Sequence, residues 1–197
     1  MSSRFCALSL GEGSVYQFSN TADLHHKFPV REDGVRLTVT NSKVLVLSKF
    51  NVDVYDSDGL FVCSFGEGTF GGGAYAACSI TAANDGRVMV VDCHDNCVHI
   101  FSEDGHHLDK FQLQGAYSDP SIAFHMLSEH VVIVGKKLGH SIDIVVVEIF
   151  TKDGVFVRST EIDTELAWGI AGITVTRDGR IAVVVEISVM TSKVLVI

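Results

Sequence analysis

One short segment of this sequence offers several side chains that could bind a metal ion. Residues 93–97 read Cys-His-Asp-Asn-Cys. Thiolate and imidazole are ligands that zinc prefers, but a structural zinc site needs four of them. No second Cys/His pair stands at a recognised spacing. We therefore interpret the segment as a hairpin loop with a buried thiol, and we expect neither a metal nor another cofactor.

Two histidine pairs and one glycine motif are weaker candidates for chemistry. His25-His26 and His106-His107 stand beside turns, and neighbouring histidines in turns are usually solvated. Residues 66–71 match G-x-G-x-x-G, but a phosphate loop needs a helix after it, and here the sequence continues into a strand. No nucleophile elbow, HExxH motif or paired acids occur. We expect no enzyme.

Bulk composition narrows the possible partners and compartment. The net charge of −9 argues against RNA binding, because nucleic-acid affinity depends on clustered Lys and Arg. No run of eighteen apolar residues and no leader pattern is visible, so we expect no membrane span and no secretion. The five cysteines, an odd number without framework spacing, are interpreted as reduced thiols of a cytoplasmic protein.

The candidate residues named above must be positioned by the strands of a sequence repeat. Four gap-free fourteen-residue segments begin at 15, 52, 98 and 147: VYQFSNTADLHHKF, VDVYDSDGLFVCSF, VHIFSEDGHHLDKF and VEIFTKDGVFVRST. Each contains an alternating strand, a turn that reads Asp-Gly in three cases, and a second strand. Spacings of 37, 46 and 49 residues indicate a repeat architecture.

The residues before each aligned segment complete a four-stranded unit. Apolar runs at 5–8, 44–47, 88–91 and 131–134 precede the aligned segments, and a fifth run stands at 181–185; such runs are typical of strands buried on both faces. A further strand precedes each of the last four runs, for example at 122–127 and 173–176. Turns such as Asn84-Asp85-Gly86 supply the positive φ that tight hairpins need. Four antiparallel strands, named a to d in chain order, therefore form each unit. Such sheets bury their faces by stacking on copies of themselves, which predicts an all-β fold, a β-propeller.

The unit at 77–115 resembles an NHL repeat. It reads SITAANDGRVMVVD over 79–92, then VHIF at 98–101, Asp104-Gly105 and Lys110-Phe111. The resemblance implies a propeller like the C-terminal domain of tripartite-motif ubiquitin ligases, which has six blades. The Asn-His-Arg of the family pattern is replaced by residues 95–97 here and is unrecognisable in later units.

The units define the expected domain organisation. We predict one domain over 1–197 with three complete four-stranded blades and a partial blade at each end: 1–29, 30–68, 77–115, 120–163 and 168–197. The expected arrangement is an incomplete part of a six-bladed propeller. Because incomplete blades would expose apolar strands, we also expect the chain to self-associate.

Loops between strands b and c, and connections from strand d to the next strand a, should share one face. Variable loops on a rigid scaffold commonly carry function. The residues expected to contact a partner there are Phe50, Tyr75, Asp92, His94, Asp95, Tyr117, Lys136, Lys137, His140 and Trp168.

By resemblance, the chain is expected to be a non-catalytic scaffold that recruits a protein partner for a ubiquitin ligase of the tripartite-motif type. No RING or B-box cysteine array occurs in this sequence. One alternative is an RNA-binding NHL propeller. Another is a metal-dependent hydrolase like the propeller lactonases, although the positions equivalent to Asp92 (Ser48, Gly135 and Glu186) make an incomplete ring of hard-cation ligands.

Overall fold

Antiparallel strands form the whole secondary structure of the described residues, which are 5–31, 34–40, 42–71, 77–139, 144–164, 169–188 and 191–197 of a computed structural model. The first strands are β1 (Phe5–Ser9), β2 (Ser14–Phe18), β3 (Leu24–Pro29), β4 (Arg36–Val39), β5 (Lys43–Leu47), β6 (Val52–Asp56), β7 (Phe61–Phe65), β8 (Ala77–Ala82) and β9 (Val88–Asp92). The others are β10 (Cys97–Phe101), β11 (His107–Gln112), β12 (Tyr117–His125), β13 (His130–Lys137), β14 (Ile144–Thr151), β15 (Phe156–Asp163), β16 (Gly169–Val175), β17 (Ile181–Ser188) and β18 (Thr191–Val196).

These strands form five antiparallel sheets in chain order, which are the blades of a β-propeller. Blade 1 is β1–β3, blade 2 is β4–β7, blade 3 is β8–β11, blade 4 is β12–β15 and blade 5 is β16–β18. The predicted fold class, with three complete four-stranded blades between two partial ones, is confirmed. No described helix could cross a membrane.

Strand a lies on the inner side of the propeller. Strands β4, β8, β12 and β16 pack against one another in that order, and β1 packs against β4. Within the described residues, no comparable packing joins blade 1 to blade 5. Strand β18 leaves Val194, Val196 and Ile197 exposed, which supports the expectation of self-association without testing it.

Each blade interface has its own hydrophobic core, and strand b contributes to two cores at once. In β9, Val88 and Val90 pack between blades 2 and 3, whereas Met89 and Val91 pack between blades 3 and 4. Strand β13 divides its side chains in the same way between the next two cores. Successive residues of a strand point to opposite faces. The continuous apolar runs in the sequence therefore reflect burial of both faces.

A phenylalanine near the end of strand d packs each of blades 1 to 3 against the c–d turn of the next blade. Phe65 packs on Phe101 of blade 3 with ring centroids 5.0 Å apart, and Phe111 packs on Phe150 of blade 4 at 4.8 Å. The same phenylalanine rings cover the turn glycines Gly105 and Gly154, where a Cβ atom would lie 2.6 Å from a ring atom. Phe28, Tyr55 and Gly59 repeat the arrangement between blades 1 and 2. This contact explains why Asp-Gly and Phe recur together in the repeat.

Two strands begin earlier than the sequence predicts. The expected strands a at 122–127 and 173–176 start at Tyr117 and Gly169. Each contains a register shift, between Ser118 and Ser121 in β12 and between Ile170 and Gly172 in β16. Asp119, at the first shift, has a positive φ of 48°. These irregularities interrupt the alternating pattern that marks a strand.

Candidate functional site

Loops from four blades meet at the same ends of their strands and form a surface that we call the loop face. Its described residues are the b–c loops at 10–13, 48–51, 93–96 and 138–139, together with the described parts of the connections between blades. Strands alternate in direction within each sheet, so these segments must lie on one side of the propeller. The rigid blades therefore present loops of different length and sequence side by side.

Three of these loops expose a large apolar side chain. Leu10, Phe50 and Leu138 are 64%, 54% and 55% exposed. Each lies just after the end of a strand b. The sequence analysis identified Phe50 but missed the two leucines, since each stands near the end of a strand b where an apolar residue is unremarkable. Their position directly after the last strand residue, rather than their type, is the informative signal.

Charged residues beside these apolar side chains are already paired. Lys27 binds Glu12 at 2.6 Å, close to Leu10 in the same loop region, and Lys137 binds Glu161 at 2.6 Å, next to Leu138. These pairs are partly exposed, so they contribute little to stability. They do leave the apolar side chains surrounded by a polar rim with balanced charge, as at many protein interfaces.

The residues predicted for partner contact differ in exposure. Phe50, His94 and Asp95 are exposed on the loop face, while Lys136 and Lys137 are partly buried. The imidazole of His94 lies 3.0 Å from the Asp95 carboxylate. Tyr75, His140 and Trp168 lie outside the described residues. Five of the predicted residues are thus accessible in part or in full.

Two of the predicted contact residues are buried. Tyr117 is 6% exposed, and its hydroxyl donates a hydrogen bond to the carboxylate of Glu148. The amide of Gln114 donates to the same carboxylate at 3.1 and 3.2 Å. Burial and the Glu148 hydrogen bond raise the pKa of Tyr117 above its usual range. Tyr117 therefore fastens the connection before blade 4 rather than contacting a partner.

Asp92 plays the equivalent role before blade 3 and is completely buried. Its Oδ2 atom accepts a hydrogen bond from the Gly71 amide at 2.7 Å, and its Oδ1 atom accepts from the amides of His94 at 2.8 Å and Asp95 at 3.1 Å. Burial would raise the pKa of Asp92, but the nearby His99 imidazole and these amides outweigh it and lower the pKa to about 2. Asp92 is not a surface contact.

A buried cluster surrounds Asp92 inside blade 3. Nε2 of His99 lies 3.6 Å from Oδ2 of Asp92 and 3.5 Å from Sγ of Cys97. Nδ1 of His99 lies 3.0 Å from Nε2 of His107, which is exposed at the start of β11. Burial, followed by the charge of Asp92, raises the pKa of Cys97 to about 11. Burial and the neighbouring His99 lower the pKa of His107.

The same position of strand c is polar and buried in all three complete blades. Asp53, His99 and Glu148 are 4%, 3% and 1% exposed. Asp53 accepts hydrogen bonds from Asn51 at 3.1 Å and from Ser64. Alternation within strand c suggests that these polar residues face solvent, but each instead lies between two blades. The sequence analysis missed all three.

One expectation about the cysteines is corrected. Cys78 and Cys93 are joined as a disulfide with Cα atoms 6.3 Å apart, a separation typical of such bonds. Cys78 lies at the register shift between Ala77 and Ser79, opposite the end of β9. That strand pairing, and not the sequence spacing, brings the two residues together. Cys63 and Cys97 are free thiols.

Comparison with known proteins supports the fold alone. No protein-family model matches the chain, and no curated protein matches it. Hydrazine synthase of Kuenenia stuttgartiensis is similar with a TM-score of 0.72 and 16% identity, over 94% of this chain and 56% of that one. Virginiamycin B lyase of Staphylococcus aureus is similar with a TM-score of 0.64 and 12% identity, over 100% of this chain and 70% of that one. Hsv2 of Kluyveromyces lactis is similar with a TM-score of 0.61 and 12% identity, over 94% of this chain and 56% of that one. The chain thus spans little more than half of the first and third of these structures.

Proposed function

We propose that this propeller is a non-catalytic scaffold that binds a protein partner through its loop face. The observation that carries the proposal is the exposure of Leu10, Phe50 and Leu138 on loops of blades 1, 2 and 4 at the same side of the molecule. Exposed large apolar side chains on one surface commonly mark an interaction site. The loops of Phe50 and Leu138 follow strands β5 and β13, which are buried on both faces.

The energetics of these side chains favour a protein ligand. Burying one Leu or Phe that is now exposed contributes about 1.5–3 kcal/mol, so the three together could dominate the affinity of an interface. The paired charges of Lys27 with Glu12 and of Lys137 with Glu161 would form a rim that keeps its own hydrogen bonds. Among the described residues, the paired lysines Lys27 and Lys137 form no basic groove for a phosphate backbone.

The repeats extend the proposal to a particular kind of scaffold. Their resemblance to NHL repeats supports a role as the partner-recruiting module of a tripartite-motif-type ubiquitin ligase. The repeated phenylalanine and glycine contacts, such as Phe111 on Gly154, show that the aligned residues of blades 1 to 3 have the same structural role. The proposal for the ligase rests on this resemblance, whereas the proposal for the loop face rests on exposure.

A matched pair of variants tests the loop face. The loop variant changes Leu10, Phe50 and Leu138 to Ser, and the control variant changes Leu60, Leu108 and Val155, which are 67%, 53% and 62% exposed near c–d turns. Each protein is used for affinity capture from the cells that express it. A protein retained by wild type and control is then purified and its affinity measured by calorimetry.

We expect the loop variant to lose at least about tenfold in affinity and the control to bind like wild type. Equal binding by both variants would refute the proposal, and loss in the control alone would place the interface at the c–d turns. The ligase role has a separate test. Ubiquitylation of the captured protein in cells should depend on the gene that encodes this chain and fall with the loop variant.

A further inference from the structure

Three buried side chains of different chemistry converge inside blade 3. Cys97 and His99 stand two residues apart on β10, so their side chains share one face of the sheet. Asp92 pairs directly with Cys97 across the ladder between β9 and β10. Their exposures are close to zero. One carboxylate oxygen, one sulfur and one imidazole nitrogen therefore lie within 4.8 Å of one another.

The distances from His99 to the other two groups of this cluster suit a shared metal ion. Nε2 of His99 lies 3.6 Å from Oδ2 of Asp92 and 3.5 Å from Sγ of Cys97. A separation of 3.6 Å is too long for a good N–H···O hydrogen bond. In tetrahedral zinc sites, bond lengths of about 2.0–2.3 Å place neighbouring ligand atoms roughly 3.3–3.7 Å apart. Both distances fall in that range.

The surroundings of the cluster have the features of an outer ligand shell. Nδ1 of His99 lies 3.0 Å from Nε2 of His107, so His99 can carry its proton on Nδ1 and direct the Nε2 lone pair at the other two groups. Asp92 is oriented by three backbone amides, of which Gly71 donates to the same Oδ2 atom at 2.7 Å. Metal-binding histidines and carboxylates are commonly held by such secondary hydrogen bonds.

We propose that Asp92, Cys97 and His99 bind one zinc ion through Oδ2, Sγ and Nε2, with a water molecule as the fourth ligand. Binding would displace the Cys97 thiol proton to solvent and leave a zinc–thiolate bond. The mixed sulfur, nitrogen and oxygen set suits a borderline-soft transition metal and does not suit calcium or magnesium. This set shares only Cys97 with the segment 93–97. All three ligands lie on strands β9 and β10, and the pairing of these strands brings them together.

The proposed site would connect two parts of the loop face. Asp92 already holds Gly71 of the connection before blade 3 and the amides of the loop after β9. A metal on Oδ2 would tie both segments to β10. This role is independent of the proposed protein partner, so either proposal can fail alone.

Cobalt titration tests the site in the intact chain. Chelator-treated protein is titrated with Co²⁺ under anaerobic conditions without added thiol, which preserves the Cys78–Cys93 pair. We expect saturation at one equivalent, the intense visible bands of four-coordinate cobalt, a thiolate-to-cobalt charge-transfer band, and displacement by Zn²⁺. The Cys97→Ser variant should lose the charge-transfer band, whereas Cys63→Ser, which changes another free thiol, should keep it.

A measurement on the wild-type protein covers the case in which Cys97→Ser fails to fold. X-ray absorption at the zinc edge should show one sulfur neighbour at about 2.3 Å with nitrogen or oxygen neighbours at about 2.0–2.1 Å. A shell of nitrogen and oxygen alone would indicate surface histidines and overturn the proposal. So would the absence of stoichiometric binding, or a cobalt spectrum that the folded Cys97→Ser variant leaves unchanged.

Discussion

Glycines with positive φ carry two separate constraints, and substitutions at the c–d turn residue Gly154 and the b–c loop residue Gly139 can distinguish them. Gly154 has a φ of +80°, and an added Cβ would lie 2.6 Å from Cδ1 of Phe111. Gly139 has a φ of +83° with no atom within 4 Å of the same position. Alanine in this left-handed region costs roughly 1–2 kcal/mol, and overpacking adds roughly 1–3 kcal/mol.

We therefore predict that Gly154→Ala lowers the free energy of unfolding by about 2–5 kcal/mol and Gly139→Ala by about 1–2 kcal/mol. Urea denaturation monitored by circular dichroism measures both. Because the two glycines have nearly the same φ, the difference between the variants reports the contact with Phe111. Equal losses in the free energy of unfolding would mean that Phe111 of the neighbouring blade does not pack tightly on the turn at Gly154.

Tyr117 predicts a dependence of stability on alkaline pH. Burial and its hydrogen bond to Glu148 raise its pKa, so the folded state disfavours the phenolate. The stabilisation of the folded state by protonated Tyr117 is complete below the unfolded tyrosine pKa of about 10 and is lost as the pH rises above it. At neutral pH, Tyr117→Phe should be less stable than wild type by roughly 1.5–3 kcal/mol, because it removes a hydrogen bond to a charged group.

The difference in the free energy of unfolding between wild type and Tyr117→Phe should therefore become smaller as the pH rises beyond about 10. Urea midpoints between neutral pH and strongly alkaline pH provide the measurement. The pKa of Tyr55 is also raised, mainly by burial, but Tyr55 is present in both proteins and cancels in the comparison. A gap that stays constant over the whole range would show that Tyr117 ionises equally well in the folded state.

At the scale of strands and blades, the phenylalanine contact that joins successive blades is missing between blades 4 and 5. The residue of β15 that aligns with Phe65 and Phe111 is Thr160, so blade 5 lacks the ring contact that joins the earlier blades. Blade 5 also packs against a single described neighbour, blade 4, whereas blades 2 to 4 are packed on both sides. Blade 5 should therefore be locally less stable than blades 2 to 4.

We predict that backbone amides of β17 and β18 exchange with solvent at least about tenfold faster than those of β9, β10, β13 and β14. Hydrogen–deuterium exchange followed by mass spectrometry of peptides resolves these strands. The comparison is internal to one sample and needs no variant. Protection of β17 and β18 that matched β13 and β14 would show that blade 5 is covered on its other side.

Most strands could be predicted from the sequence because burial and turn chemistry act locally. The run at 88–91 is apolar throughout because Val88 and Met89 face different interfaces. Gly105 marks a turn because its φ of 85° disfavours other residues. The start of β12 could not be predicted, since the register shift near Asp119 breaks the alternation that identifies a strand.

The candidate sites were less predictable because their residues are brought together by pairing between strands and by packing between blades. Asp92 and Tyr117 looked like loop residues, yet both are buried against the connections that they hold. His99 looked like the outward residue of an alternating strand. Its neighbours Cys97 and Asp92 become visible only from the register of β9 with β10.

For the whole molecule, charge predicts what the propeller does not bind. The net charge is −9, and Lys137 on the loop face is paired with Glu161 at 2.6 Å. We expect a dissociation constant for single-stranded RNA weaker than about 10⁻⁴ M at physiological salt, the weak end of nonspecific binding. Fluorescence anisotropy with a labelled oligonucleotide measures it. Submicromolar, salt-sensitive binding would favour the RNA-binding alternative.

The central claim is that a protein partner contacts the loop face, and site-specific photo-crosslinking tests it most directly. A photoreactive phenylalanine analogue is placed at Phe50, at Leu138 or, as a control, at Leu60, which is 67% exposed near a c–d turn. After irradiation of expressing cells, positions 50 and 138 should yield an adduct with the same partner, and position 60 should yield none. Adducts from position 60 alone, or none from positions 50 and 138, would contradict the claim.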